Sequence, residues 1–379
     1  MRANKNIHEK IIPYVMLFLI AFGIGGCALL IGKPDEGDLP DPSRPVRIRY
    51  VETLRNEASF LTERYRQSDP LAPAATSLQK PVSVSADQFR VYVVDRSPVP
   101  RLFIFDRNER SVKIISSPTP TVAVNASFMD PSAVAVAEAG DIYVADPPQG
   151  KIFGLDRAGN LVFTLGKTGS LAYPAAMAVD SRRHRLYVAD KHAHKVLMYT
   201  NQRDWASIET RGNQTKTGVI QSPANPCYSS DAAGAFTTYQ RVCDLGDQGT
   251  KDGLRSPVGL ALDSAGNLFV LDAHRNRVHM FDSEGIFVRR FSLIADLAHP
   301  LNNPTGIAID SDGHVYVSDG VANTILIFDQ NGMYLQRWGG IGDQRDGFWS
   351  PAGIFIDNRD YLYVPDQMNG RVQVFQYEK

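Results

Sequence analysis

In "KHAHK", residues 191–195, His192 and His194 fall on one face of an extended segment, and two imidazoles so placed suit a transition metal. Two ligands are too few for a stable site. With Arg182, Arg183 and Arg185 nearby in sequence, a basic solvated rim is the plainer expectation. "DSDG", residues 310–313, starts like a calcium loop, but the later ligands and the terminal glutamate are missing, so a hairpin turn explains it better. "GGIGDQRDG", residues 339–347, is glycine-rich, yet no helix follows it to present its N-terminus to a phosphate. The sequence contains no G-x-S-x-G, H-E-x-x-H or P-loop. No catalytic, cofactor-binding or metal-ligating residue is therefore assigned.

The amino terminus carries a different kind of chemistry. Arg2, Lys5 and Lys10 precede residues 11–32, a run without a charge, as in a secretory signal or membrane anchor. Within it "IGGC", ending at Cys27, resembles the lipobox of bacterial lipoproteins. That resemblance implies cleavage after residue 26, a lipid on the Cys27 sulfur and, since Ala28 is not the aspartate that retains such proteins in the inner membrane, a lean toward the outer membrane. The second reading is an uncleaved transmembrane helix over residues 11–32, long enough to span a bilayer. Both readings export and tether the body of the protein.

The other two cysteines are Cys227 and Cys243. If Cys27 is lipidated they form an even pair in an oxidising compartment, and a disulfide closing the 15 residues between them would add about 3 kcal/mol in the chain-entropy model. After the apolar run, residues 33–45 hold four prolines and four acids, which makes residues 27–45 a semi-rigid tether.

The body repeats. "YVVD", "YVAD", "YVAD", "FVLD", "YVSD" and "YVPD" end at Asp95, Asp146, Asp190, Asp272, Asp319 and Asp366. Each is preceded by a proline and a strand of small residues ("PAAMAVD", "PVGLALD", "PTGIAID"), then a tight turn such as "SAGN" or "SDGH". A third strand follows ("RVHMFD", "TILIFD"), and in most copies a fourth ("MYLQRW"). Four antiparallel strands per 40 to 50 residues predict the blades of an all-β, six-bladed β-propeller over residues 46–379. Slim side chains suit strands crowded near an axis, and alternation gives each blade two faces that only neighbouring blades can bury. The repeated aspartate reads as a structural acceptor of backbone N–H groups in its turn. The last copy ends after three strands, whereas "PVRIRYVETL", residues 45–54, alternates like a strand with Val46, Ile48 and Tyr50 on one side. The expectation is that it completes the sixth blade and removes an exposed edge. One interval between aspartates is 82 residues against 47 for the last two, which predicts an insertion at about 201–255 containing both Cys227 and Cys243.

These units resemble NHL repeats, and the arrangement is similar to the six-bladed propellers of bacterial NHL-repeat lipoproteins. Peptide-amidating lyases resemble NHL repeats and carry zinc on histidines just after the strand-opening prolines. Here Val82, Ser132, Ala175, Val258, Thr305 and Ala352 stand in those places. The calcium ligands of gluconolactonases find no match. Charge is balanced, 41 acidic residues against 40 basic, so no nucleic-acid partner is expected. No cofactor is expected either. The resemblance implies a monomeric, membrane-tethered, extracytoplasmic propeller that binds an unidentified cell-envelope protein. A propeller enzyme of lyase or lactonase type and a purely structural lipoprotein are the alternatives. Trp205, Tyr228, Phe236 and Tyr239 of the insertion either anchor a partner or pack it against the propeller side.

Overall fold

A computed structural model describes residues 46–56, 59, 77–118, 127–166, 171–201, 239–245, 253–293 and 301–379. Cys27, Cys227, Trp205, Tyr228, Phe236, the tether and both N-terminal readings lie outside them. Among the described residues no helix is long and apolar enough to cross a membrane.

Six four-stranded antiparallel sheets form the blades of a propeller. In chain order they span residues 81–115, 133–165, 174–245, 257–292, 304–338, and 355–378 with 47–54. Strands run a to d from the axis outward. The turns joining a to b and c to d lie on one face, whereas the b–c loops and the d-to-a connections between blades lie on the other. This follows from antiparallel order alone. Strand b shows how a two-residue period builds the fold: Tyr92 and Val94 pack toward blade 2, Val91 and Val93 toward blade 6. Every interface between neighbouring blades, including that from blade 6 to blade 1, contains such an apolar cluster. Burying one large side chain in them contributes about 1.5–3 kcal/mol.

The ring closes where alternation predicts. Arg47–Leu54 pairs with Arg371–Glu378, in a register that sets Tyr50 opposite Phe375 and Leu54 opposite Val372. Val46, Ile48 and Tyr50 join the cluster between blades 5 and 6. A bulge between Tyr50 and Glu52 then reverses the facing, and Val51 and the fully buried Leu54 join the cluster between blades 6 and 1. Arg107, in the c–d turn of blade 1, donates to Glu52 Oε1 at 2.7 and 3.0 Å and to the Tyr363 hydroxyl at 2.9 Å. One guanidinium thus ties blade 1 to both the closing strand and blade 6. At the axis, Gly353 N–H donates to the Val82 carbonyl at 3.1 Å.

The long insertion differs from its expected place. Strand c of blade 3 continues through Lys195–Asn201, and its partner is Tyr239–Leu245, with Asn201 opposite Tyr239 and Cys243 opposite Met198. Residues 239–245, expected within the insertion, are thus blade 3's own outer strand. The extra sequence splits the blade at a c–d turn rather than separating two blades. "YQRVCDL" escaped notice because an outer strand carries no repeat motif and was displaced from its partner in sequence.

Gly306 shows how little room the inner ring leaves. A Cβ there would come within 2.6 Å of the Ile354 nitrogen and 2.8 Å of the Gly353 Cα, both backbone atoms. Gly306→Ala is expected to cost about 2–3 kcal/mol, because backbone in a closed ring cannot retreat. An unchanged urea midpoint would contradict this.

His279, on strand c of blade 4, is 3% exposed, and its Nε2 meets no hydrogen-bond partner within the protein. Burial lowers its pKa, with Arg290, Arg277 and Arg275 adding to the shift and Asp272 opposing it. The folded state therefore resists protonation, so as pH falls below about 6.5 the unfolded chain takes up the proton first. His279→Leu should flatten the loss of stability between pH 7.5 and 5 relative to wild type. Parallel curves from urea unfolding would rule out this source of acid sensitivity.

Candidate functional site

The acidic residues that dominate the repeats are occupied within the fold. The six YVxD carboxylates are fully or almost fully buried. Their main bonds reach the segment that leads into strand a, 15–18 residues earlier in the chain. Asp95 accepts from Gln79 and Lys80 N–H, Asp190 from Ala172 and Tyr173, and Asp272 from Arg255 and Ser256, at 2.8–2.9 Å. Asp146 accepts from Met129 and Asp130, Asp319 from Asn302 and Asn303, and Asp366 from Trp349. Bonds to the aspartate's own turn also form, as from Ser97 to Asp95 and from Val321 and Ala322 to Asp319. Each carboxylate therefore fastens an inter-blade connection to strand b, a longer reach than its own turn.

A second aspartate belt went unassigned in the sequence, although the letters stand in "PVGLALD" and "PTGIAID". Asp87, Asp180, Asp263, Asp310 and Asp357 sit where strand a turns into b, and each accepts N–H bonds from that hairpin. The detectable signal was an aspartate three residues before the turn glycine in "DSAG" and "DSDG", where Gly266 and Gly313 take φ of +86° and +84°. Asp310 also accepts from Tyr316 and meets His314 Nδ1 at 2.7 Å, while Asp357 accepts from Tyr363. Burial pushes the phenols of Tyr316 and Tyr363 well up, so they act as donors at neutral pH.

The six inner strands enclose a channel of about 740 Å³. Small and aliphatic side chains line its wall, with Ser83, Ser85 and Thr305 among them, and the second-belt aspartates, Glu138 and Asp360 line its a–b end. Two hydroxyls at the positions after the strand-opening prolines serve the ring itself: Ser132 Oγ donates to the Pro174 carbonyl at 2.7 Å and Thr305 Oγ1 to that of Pro351 at 2.9 Å. The two candidate histidines are not brought together on a common ligand. His192 packs on the Tyr173 ring, centroids 4.7 Å apart, and His194 Nδ1 bonds the Arg255 carbonyl. Among the described residues no group of three metal-ligating side chains occurs. "GGIGDQRDG" is held by Arg371, which donates to the carbonyls of Asp343, Gln344 and Gly347 and pairs with Asp366 at 2.7 Å.

The face formed by b–c loops and inter-blade connections is different. Among the described residues ten large hydrophobics are exposed, and six of them lie here: Val99, Met129, Val321, Ile341, Trp349 and Met368, each at least half exposed. Only Phe89 and Met333 lie at turns of the opposite face. Two groups of these loops are tied by polar contacts. Met368 N–H donates to the Trp349 carbonyl, and Ser350 N–H to Asn323, whose amide bonds the Val321 carbonyl. An ion pair between Arg96 and Asp130 joins the loops of Val99 and Met129. Exposed apolar side chains gathered on one face are a feature of interaction sites, and in the connection of Ile341 and Trp349 they stand beside exposed Asp343, Arg345 and Asp346. Sequence reasoning missed it because these residues fall in loops outside the repeat motif.

Comparison with known proteins agrees with the architecture. The family model of the teneurin NHL domain matches residues 106–295, half of the chain, and that of the NHL repeat matches residues 301–328. No curated protein matches the sequence. Two structures from Bacteroides thetaiotaomicron VPI-5482 align over 80% of this chain and 71% of their own: an auxiliary nutrient binding protein (13% identity, TM-score 0.54) and a structural genomics protein of unknown function (15%, 0.52). A catalytically inactive virginiamycin B lyase from Staphylococcus aureus with quinupristin aligns over 88% of this chain and 99% of its own (9%, 0.50). Identities this low establish a shared fold only.

Proposed function

Because the chain belongs to the NHL-repeat family of β-propellers, we propose that it is a protein-docking or scaffold module, tethered to a bacterial envelope membrane through lipid on Cys27 or an N-terminal helix and exposed outside the cytoplasm. The observation that carries docking is the apolar surface of Val321, Ile341, Trp349 and Met368 on one loop face. Tryptophan is among the residue types that carry most of the binding energy in protein interfaces, which singles out Trp349. The tether rests on the residues before Val46, and a disulfide between Cys227 and Cys243 fits the same compartment.

The test is crosslinking of the full chain in native membranes followed by mass spectrometry, comparing wild type with Trp349→Ser/Met368→Ser. A defined partner lost in the double variant supports docking on this face; equal recovery from both sinks it. A deletion of residues 202–238 asks the same of the insertion while sparing strand d of blade 3. Membrane attachment is tested separately with Cys27→Ser. Loss of lipid label and release to the soluble fraction are expected, whereas unchanged pelleting would favour the uncleaved helix.

A second reading, a small molecule in the channel, is favoured by the channel's volume. Of the propellers that share the fold, one is described as a nutrient binding protein and one is a lyase. Ligand-dependent stabilisation abolished by a bulky residue at Ser85 would support it.

A further inference from the structure

The a strands of blades 1 and 6 run parallel and meet at the axis, where Ser83 bridges Gly353 and the Gly353 N–H donates to the Val82 carbonyl at 3.1 Å. Equal steps along parallel strands keep residues level, which sets Ser85 level with Phe355 and Asp87 level with Asp357. These two blades break the symmetry of the channel. Four residues after each strand-opening proline stand Ser85, Ala135, Ala178, Ala261, Ala308 and Phe355, and all six line the channel. Four are methyl groups, whereas adjacent blades contribute one phenyl ring and one hydroxyl. Phe355 is half-buried, its ring centroid 6.2 Å from that of Tyr363. Ser85 is 3% exposed, and among the described residues its hydroxyl has no hydrogen-bond partner. Ser83 and Thr305 differ: Ser83 accepts the Val134 N–H at 3.1 Å, and Thr305 donates to the Pro351 carbonyl. A buried hydroxyl left unsatisfied by the protein is a place for a ligand's polar atom.

Just beyond this pair the channel reaches its carboxylate-lined a–b end. Asp87, two residues after Ser85, is half-buried, and its Oδ2 takes the Tyr92 hydroxyl at 2.8 Å, which leaves room for a second donor. Glu138 of the neighbouring blade is exposed at the same end. Guanidinium groups share this end: Arg183 pairs with Asp180 and Arg359 with Asp357, while Arg182 donates to the Ser264 carbonyl.

We infer that the channel takes an organic ammonium compound, its apolar body along the alanine and glycine wall, its cationic head among Phe355, Asp87 and Glu138, and a polar atom on Ser85. This rests on the second reading above, a small molecule in the channel, and adds the ligand's chemistry. The groups that are present make the choice. The face of an aromatic ring attracts an organic cation, and two carboxylates at the same end supply its opposite charge. An anion would meet those carboxylates, and a neutral molecule would use neither them nor the ring's electrostatics.

The experiment is titration of the full chain in detergent with three probes of similar shape, benzylammonium, benzyl alcohol and benzoate, followed by ligand-observed NMR. Benzylammonium should bind at least about tenfold more tightly than the other two. Phe355→Ala should weaken it about fivefold. Glu138→Gln should weaken it about twofold at low salt and less at high salt. Ser85→Leu, which fills the channel, should abolish binding and serves as the control for uptake by detergent. Glu138 is exposed, so its variant keeps the test open if Phe355→Ala fails to fold. Equal affinity for the three probes, or benzylammonium binding unchanged by both Phe355→Ala and Glu138→Gln, overturns the ammonium proposal; loss in Ser85→Leu would then leave the channel reading standing. If no probe binds, or if Ser85→Leu binds them all as wild type does, both fall.

Discussion

Removing residues 46–54 should abolish cooperative folding of the propeller, or lower its Tm by more than about 15 °C. The deletion strips the whole length of Arg371–Glu378 of its outer partner and empties the Leu54 position between blades 6 and 1. It also takes away Glu52, and with it two of the hydrogen bonds from the Arg107 guanidinium. A fully buried leucine contributes about 2–5 kcal/mol, and each lost ladder bond about 0.5–1.5. Together these approach the 5–15 kcal/mol that separate a typical folded chain from its unfolded state. Closure is cooperative, since an open blade 6 weakens its contacts with blades 5 and 1 alike. Thermal unfolding followed by near-UV circular dichroism is the measurement, with Arg107→Ala as a milder companion costing about 2 kcal/mol. A deletion variant that melts with wild type would refute closure by this strand.

Asp319→Ala should be strongly destabilising, at about 3–5 kcal/mol. The side chain is fully buried. It accepts from Asn302 at 2.6 Å, Asn303 at 3.2 Å, Val321 at 3.0 Å and Ala322 at 2.9 Å. Alanine leaves four backbone donors without their acceptor at a junction where the chain crosses from blade 4 to blade 5. Asp319→Asn keeps the shape and part of the bonding, so it should lose less. The comparison is made by urea denaturation at pH 7, where equal midpoints for wild type and Asp319→Ala would show the carboxylate to be dispensable. The effect also bears on function: Val321 belongs to the exposed apolar face, and the Asp319 bonds hold its loop.

These two effects sit at opposite ends of what the chain reveals by itself. The YVxD aspartates, the small residues after each proline and the alternation in "PVRIRYVETL" fixed six blades and their closure, because all three are periodic and periodicity survives in one dimension. The reach of each aspartate to a connection 15–18 residues earlier was hidden, since sequence shows neighbours and not the return of the chain to the same end of a sheet. The second belt was half visible, in the aspartate that recurs before five of the six a–b turns. Its role became clear only with the hairpin geometry.

The insertion and the docking face mark the other limit. Sequence found the extra residues at about 201–255 but counted residues 239–245 among them, because an outer strand is bound by register and not by motif; only the pairing of Lys195–Asn201 with Tyr239–Leu245 put the break inside the blade. Val99, Met129, Val321, Ile341, Trp349 and Met368 are scattered over 270 residues of sequence. Nothing in their spacing links them. Circular closure brings the loops of blades 5, 6, 1 and 2 to one sector. The sequence determined the repeating unit through local patterning, whereas the surface that meets a partner exists only once six units have been arranged around an axis.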